Sequence, residues 1–277
     1  MTSHVLEELP SAWADRGRAR AAVGAIYKTY VIAELEVRKL KHDPTELVTR
    51  AVQPALWLLI FGEVFTRVRG IPTGGLPYLD FMAPGILAQS VLFVAIFSGL
   101  ALIWERDLGI IHKLFVSPTP RAALVVGKAL AAGVRSFSQV VIIYALALLL
   151  GVRMNWGVPA LGGVIAAVLI GAACFATLSL IIASLVRTRE RFMGIGQLLT
   201  MPLFFASNAI YPLAIMPPWL HVVARINPLS YEVDALRALM IPGGVSAFGV
   251  GTDFALLVST TVILVAIATR VYPRVVT

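Results

Sequence analysis

No aspartate or glutamate sits at the centre of any of the six long apolar runs in this chain. Proton- and ion-driven transporters usually carry ionisable groups inside the bundle to load the coupling ion. The gap therefore argues for an energy source outside the chain. All 15 acidic residues read as lying at or near helix ends or in loops. Glu63 and Asp80 come closest to the interior and read as end-of-helix anchors. Cysteine is almost missing. With Cys174 alone, no intrachain disulfide or Cys metal site can form. His4, His42, His112 and His221 are scattered without metal-ligand spacing, so no metal site is expected. No G-x-x-x-x-G-K followed by Ser or Thr occurs. The nearest fragment, Gly127-Lys128-Ala129, lacks the upstream Gly and the hydroxyl needed to cradle ATP phosphates. There is no G-x-S-x-G, no H-E-x-x-H and no Cys/His pair. Together these gaps predict a chain that is not itself an enzyme. No apolar stretch precedes Ala21, which predicts no cleavable leader.

What the chain has is apolar length. Apolar residues make up 58% of it and the mean hydropathy is +0.86, which leaves no room for a separate soluble domain. A bilayer core of about 30 Å takes about 20 apolar helical residues. Runs of that kind fall at about 51–68, 79–103, 122–150, 158–186, 194–214 and 252–271. They are continuous rather than alternating, which favours helices over barrel strands. The expected fold is an all-α membrane protein with six transmembrane helices. Residues 1–50 form a cytoplasmic lead-in and 51–277 the transmembrane domain.

Charge sets the orientation. Sixteen of the 23 Lys and Arg fall on the side of the two termini and the 2–3 and 4–5 connections, and five on the other. Lys128 and Arg135 lie within the third span. The positive-inside rule places both termini in the cytoplasm. The net charge of +8 is then an orientation signal with some attraction to anionic lipid, and needs no nucleic-acid partner.

Three segments between or within the spans carry mechanical content. Residues 22–43 read as an amphipathic interfacial helix, with Val23, Ile26, Tyr27, Tyr30 and Val31 at helical spacing before Asp43-Pro44 breaks it; a plain lead-in is the other reading. The 2–3 connection opens with Glu105, Arg106 and Asp107. It then sets Leu108, Ile111, Leu114 and Phe115 on one face of a short helix that Pro118 and Pro120 end. Such a helix transmits motion from a soluble partner or lies on the membrane surface. The 5–6 region, Ser207 to Met240, is broken by Pro212, Pro217, Pro218 and Pro228, yet too apolar for a solvated loop. Broken helices are tolerated at membrane depth only where protein buries them. Short re-entrant or interfacial helices are expected there, as a gate or as a bland cap. Trp219 and Tyr231 would anchor at the interface, and Glu232, Asp234 and Arg237 could pair locally.

Lys128, Arg135 and Gln139 form a polar stripe on the third span, within ~40° of one another at 100° per residue. The stripe faces the interior or a subunit, or snorkels to the surface. Gln53, Gln89 and Gln197 read as amides bridging helices, and Pro84 and Pro202 as kinks.

The ERDLGIIHKLFVSPTPR and SNAIYP…MPPWL…NPLSYEVDALRAL stretches together resemble the permease subunits of ABC-2-type exporters, particularly the antibiotic-resistance (daunorubicin-type) branch. The resemblance covers most of the chain. It implies that Glu105, Arg106, Asp107, Gly109, Ile111, Lys113 and Leu114 form a cytoplasmic coupling helix against an ATP-binding subunit. It implies an outer gate segment containing Asn208, Tyr211, Pro212, Pro217, Trp219, Asn227, Pro228, Tyr231, Asp234 and Arg237. Many relatives carry Gly where this chain has Asn208, and the antibiotic branch tolerates Asn. Two permease chains would pair, with ATP and Mg bound only on separate ATPase subunits and lipids around the permeases. The expected function is export of a lipophilic drug, lipid or metabolite across a bacterial inner membrane. A permease for a lipid-linked glycan and an ion-coupled secondary transporter are the alternatives.

Overall fold

The computed structural model of the chain describes residues 52–66, 72–109 and 121–275. The expected amphipathic helix over 22–43 lies outside the described residues, as do Ile111, Lys113 and Leu114. The described chain is helical throughout, with no strand among the described residues. In a bilayer no water is present to bond the backbone, so each apolar run must satisfy its own N–H and C=O groups as a helix.

Helix α1 begins as Val52–Phe61, passes through a π turn over Trp57–Phe61 and continues as Gly62–Thr66. Helices α2 (Tyr78–Ser98) and α3 (Leu100–Asp107) join through Gly99, which keeps helical angles. Helix α4 spans Arg121–Leu149, α5 Val158–Leu185 and α6 Arg189–Phe205. Two short helices follow, α7 (Pro218–Ile226) and α8 (Pro228–Met240), and then α9 (Val250–Val271).

Four segments are long and apolar enough to cross a membrane: Tyr78–Asp107, Leu124–Leu149, Val158–Leu185 and Val250–Val271. They stand where the second, third, fourth and sixth spans were expected. The apolar part of α1 is shorter, and the run expected to reach 68 leaves the described residues after 66. The fifth expected span, 194–214, is displaced. Its helix starts at Arg189, where the Thr188 hydroxyl caps it by accepting from the Arg191 N–H at 3.3 Å, and stops at Phe205. Residues 206–212 are turn and irregular chain. Ala209 and Ile210 are apolar because they pack into the bundle, not because they continue a helix. The second span is longer than expected. Glu105, Arg106 and Asp107 extend it by a turn instead of opening a separate helix. Gly109 then ends it. Its φ of +69° is the left-handed cap that glycine adopts without penalty, and its N–H meets the Arg106 carbonyl at 2.9 Å.

Helix α5 is the hub, packing against α2, α4, α8 and α9. Its many Gly, Ala and Ser residues let backbones approach closely. The Ser179 hydroxyl donates to the Ile96 carbonyl and accepts from the Gly99 N–H, stitching the α2–α3 junction to α5. Helix α8 runs antiparallel along the first half of α5, with Leu239 against Gly163 and Glu232 against Gly171. That register overturns one expectation. The acidic residues read as lying at helix ends or in loops, yet the carboxyl of Glu232 is fully buried and rests midway along α5, because α8 carries it there. Of the four long spans, α9 is the least embedded, burying Asp253, Leu257 and Ala268. The expected helix-bridging amides also fail. Gln53 and Gln197 are exposed, and Gln89 is buried with its Nε2 unpartnered. Pro84 and Pro202 lie inside α2 and α6 without ending either helix.

Gly85 of α2 lies where a Cβ would overlap the Ala209 carbonyl oxygen, a backbone group that cannot swing away. Gly85→Ala is expected to destabilise the purified chain by about 1–3 kcal/mol through overpacking. A lowered thermal midpoint in detergent would show this; an unchanged midpoint would mean that α2 and the 207–210 segment are not in contact.

Candidate functional site

Two polar constellations occupy opposite ends of the bundle. The first gathers around Trp104, at the end of α3. Glu105 receives Lys128 Nζ of α4 at 2.8 and 2.6 Å. Arg106 reaches across to the α5–α6 connection, donating from Nη1 to the Val186 carbonyl at 3.0 Å and from Nη2 to the Arg187 carbonyl at 2.6 Å. Asp107 Oδ2 accepts from Arg189 Nε at 3.0 Å and Nη2 at 2.8 Å, a bidentate donor pair on one oxygen. The same guanidinium stacks 3.8 Å above the Trp104 ring. Three consecutive charged residues at a helix end thus hold the start of α4 and the α5–α6 turn. Each pair is partly or fully solvated and adds little to stability. Their effect is to fix position.

The stripe Lys128, Arg135 and Gln139 does not form one site. Lys128 is taken by Glu105, Arg135 is half-buried, and Gln139 is buried with its Nε2 unpartnered. The pairing of Lys128 with Glu105 joins two features that read as unrelated in the sequence.

The second constellation is built on Arg237 of α8. Its side chain is 6% exposed. Nη2 donates to the Asn208 carbonyl at 2.7 Å and Nε to the Phe81 carbonyl at 3.4 Å; Nη1 lies 3.7 Å from Asp234 Oδ1. The guanidinium also covers the Phe81 ring at 3.9 Å. Asn208 returns to Asp234 by donating from Nδ2 to Oδ1 at 3.1 Å. The other oxygen of Asp234 accepts the N–H groups of Ala247 and Phe248 at 2.5 and 3.1 Å. Ser246 Oγ lies 2.9 Å from that oxygen and 2.7 Å from Asp253 Oδ2. With a single hydroxyl proton, Ser246 donates to one of these two carboxylates at a time. A cavity of about 180 Å³ opens beside the network, lined in part by Phe81, Asn208, Pro212, Asp234, Arg237 and Val245.

Around this centre the other expected residues act as framework. Pro217 precedes α7, and Pro218 takes its first turn. Asn227 caps α8, accepting the Leu229 N–H at 3.0 Å and donating to the Leu203 carbonyl at 2.6 Å, with Pro228 at the first helical position. The Tyr211 hydroxyl donates to the Phe205 carbonyl. Trp219 is 68% exposed. Tyr231, expected beside it as an interfacial anchor, is instead buried: its hydroxyl donates to the Arg225 carbonyl and its ring packs on Phe248. Phe81 and Ser246 carry no sequence signal, since the bond from Arg237 to Phe81 spans 156 residues and Ser246 sits in an unmarked turn.

The family described as ABC-2 type transporter matches residues 27–241. The chain is 30% identical over 225 residues to "Putative transport permease ycf38" of Cyanophora paradoxa, covering 77% of this chain and 74% of that protein. It is 27% identical over 227 residues to the "Daunorubicin resistance ABC transporter permease protein DrrB1" of Streptomyces coeruleorubidus, covering 81% and 78% respectively.

Truncating Arg237 to Ala would leave Asp234 buried without its cation and two carbonyls without their donor. A loss of about 3–5 kcal/mol is expected, read as a strongly lowered thermal midpoint or failure to accumulate. A change under about 1 kcal/mol would contradict the network. In a double-mutant cycle, Glu105→Gln and Lys128→Met should couple by no more than about 1 kcal/mol in stability.

Proposed function

The chain belongs to the ABC-2 type transporter family, and on that footing we propose that it is the permease subunit of an ATP-driven exporter. The cargo is a lipophilic drug, lipid or metabolite moved out of the cell. A separate ABC subunit binds ATP and Mg and performs the hydrolysis, and a second permease chain completes the path within the lipid. The chain crosses the bacterial inner membrane six times, α1 and α6 supplying the passes beyond the four long spans, with both termini cytoplasmic. In this orientation the Trp104 end faces the ATPase and the Asn208 end faces outward.

One observation carries the reading. The residues that the family resemblance marks for ATPase coupling, Glu105 to Asp107, are tied to the starts of α4 and α6 by charged side chains with carbonyl or carboxylate partners. A push on the 2–3 connection would therefore be delivered to three helices at once. Such a push changes the path only if the two states differ in their contacts. The weak, solvated pairs at this end supply contacts that can be exchanged at little cost. The buried Arg237 network at the far end supplies a part that moves as a unit. The printed name of the Streptomyces relative, with its daunorubicin resistance, favours an amphiphilic drug-like cargo over a lipid-linked glycan.

Arg106→Ala removes two partly solvated bonds that tie the end of α3 to the α5–α6 connection. In vesicles carrying the permease and its ATPase, ATP-dependent transport should fall roughly tenfold or more, while ATP hydrolysis persists. Transport at the normal rate would remove the coupling role. Transport that survives ATP depletion but stops when ion gradients are collapsed would favour the ion-coupled alternative.

A further inference from the structure

Glu232 is the one fully buried side chain among the described residues with both carboxyl oxygens unpartnered. It projects from α8 onto Gly171, midway along α5, where a Cβ would overlap the carboxyl group itself. Cys174, also buried, lies one turn further along α5, and α9 packs against both α5 and α8. The carboxyl group therefore sits in the seam where α5, α8 and α9 meet. The other charged groups on α2 and α8 and the carboxylate of α9 are engaged elsewhere, while α4 adds the half-buried Arg135 and the buried, unpartnered hydroxyl of Tyr144. Asp234 and Arg237 of α8 pair with each other and with Asn208, while Asp253 of α9 bonds to Ser246. Asp80 of α2 pairs with Arg153 beyond α4, and Tyr231 donates to the Arg225 carbonyl. His221 and Arg225 lie on α7, which joins the start of α8 through Asn227.

An ionised carboxylate stripped of water, donors and cations is so unfavourable that the group takes up a proton instead. We propose that Glu232 is a proton-binding site at the centre of the bundle, neutral in the closed seam and ionised when α9 parts from α5 and α8. Helix α9 closes the seam from outside: it packs on both α5 and α8 while turning most of its own surface outward. When the seam opens, water reaches the carboxyl and accepts its proton, leaving the carboxylate hydrated. Closure returns a proton from water to the same group. The closed state thus holds one proton more than the open state, so raising the pH favours opening. That this opening belongs to a transport cycle rests on the proposed function; the proton on Glu232 does not.

The test is infrared absorption of the full chain with its ATPase subunit in lipid vesicles at neutral pH, compared with Glu232→Gln and, should that variant fold poorly, Glu232→Met. Wild type should show the carbonyl stretch of a protonated carboxylic acid, shifted by isotopic labelling of glutamate carboxyl carbon and lost in the variants. Without nucleotide the band should resist deuterium exchange, and during ATP turnover it should exchange. A wild-type spectrum with no protonated-acid band, or an identical band in the variants, would overturn the proton site. Exchange that is unaffected by turnover, in vesicles that hydrolyse ATP, would overturn the opening of the seam.

Discussion

A guanidinium buried in an apolar bundle must be met by acceptors, and in this chain Arg237 draws them from wherever the fold can supply them. The carbonyls of Phe81 and Asn208 and the carboxylate of Asp234 come from α2, the α6–α7 connection and α8. Asp234 in turn recruits the backbone of Ala247 and Phe248 ahead of α9. Removing Arg237 or Asp234 leaves the other as an unpaired buried charge, which is far less favourable than a missing surface pair. The consequence is positional. Once Arg237 is satisfied, α8 cannot slide along α5, the irregular 206–212 segment cannot extend as helix, and Glu232 is delivered to Gly171. The broken, proline-rich stretch is tolerated because the bundle supplies partners for Asn208, Asn227, Tyr231, Asp234 and Arg237.

The two ends of the bundle are built from the same residue types with opposite mechanical results. At the Trp104 end, Lys128, Arg106 and Arg189 hold their partners in half-solvated surroundings, where ion pairs contribute little and are readily exchanged. At the Asn208 end, Arg237 and Asp234 are shielded and rigid. On the proposed function, a permease that passes motion from a soluble motor to a path needs a yielding joint on one side and a stiff body beyond it, and the contrast in burial would supply both.

Much of this was legible because bilayer length and helix period leave few choices. The expected runs 122–150, 158–186 and 252–271 meet helices Arg121–Leu149, Val158–Leu185 and Val250–Val271. The pairing of Asp234 with Arg237 followed from their i,i+3 spacing on a helix. The failures share one cause. Hydropathy reports whether a residue is kept from water, not whether lipid or protein excludes the water. So 206–214 read as span when part of it is buried irregular chain, and Tyr231 read as an anchor when it is core. Glu232 read as a charge that could pair locally, because its depth depends on how far α8 folds back, which no local pattern records. Glu105 and Lys128 were each marked, but their meeting depends on the antiparallel return of α4 across the 2–3 connection.

The most direct measurement of the central claim is gentle purification from native membranes with a tag on this chain, followed by mass identification of what accompanies it and an ATPase assay. A stoichiometric ATP-binding subunit with hydrolysis, bound to two permease chains, is the predicted result. A chain that stays alone in several mild detergents, with no ATPase activity, would contradict an ATP-driven permease.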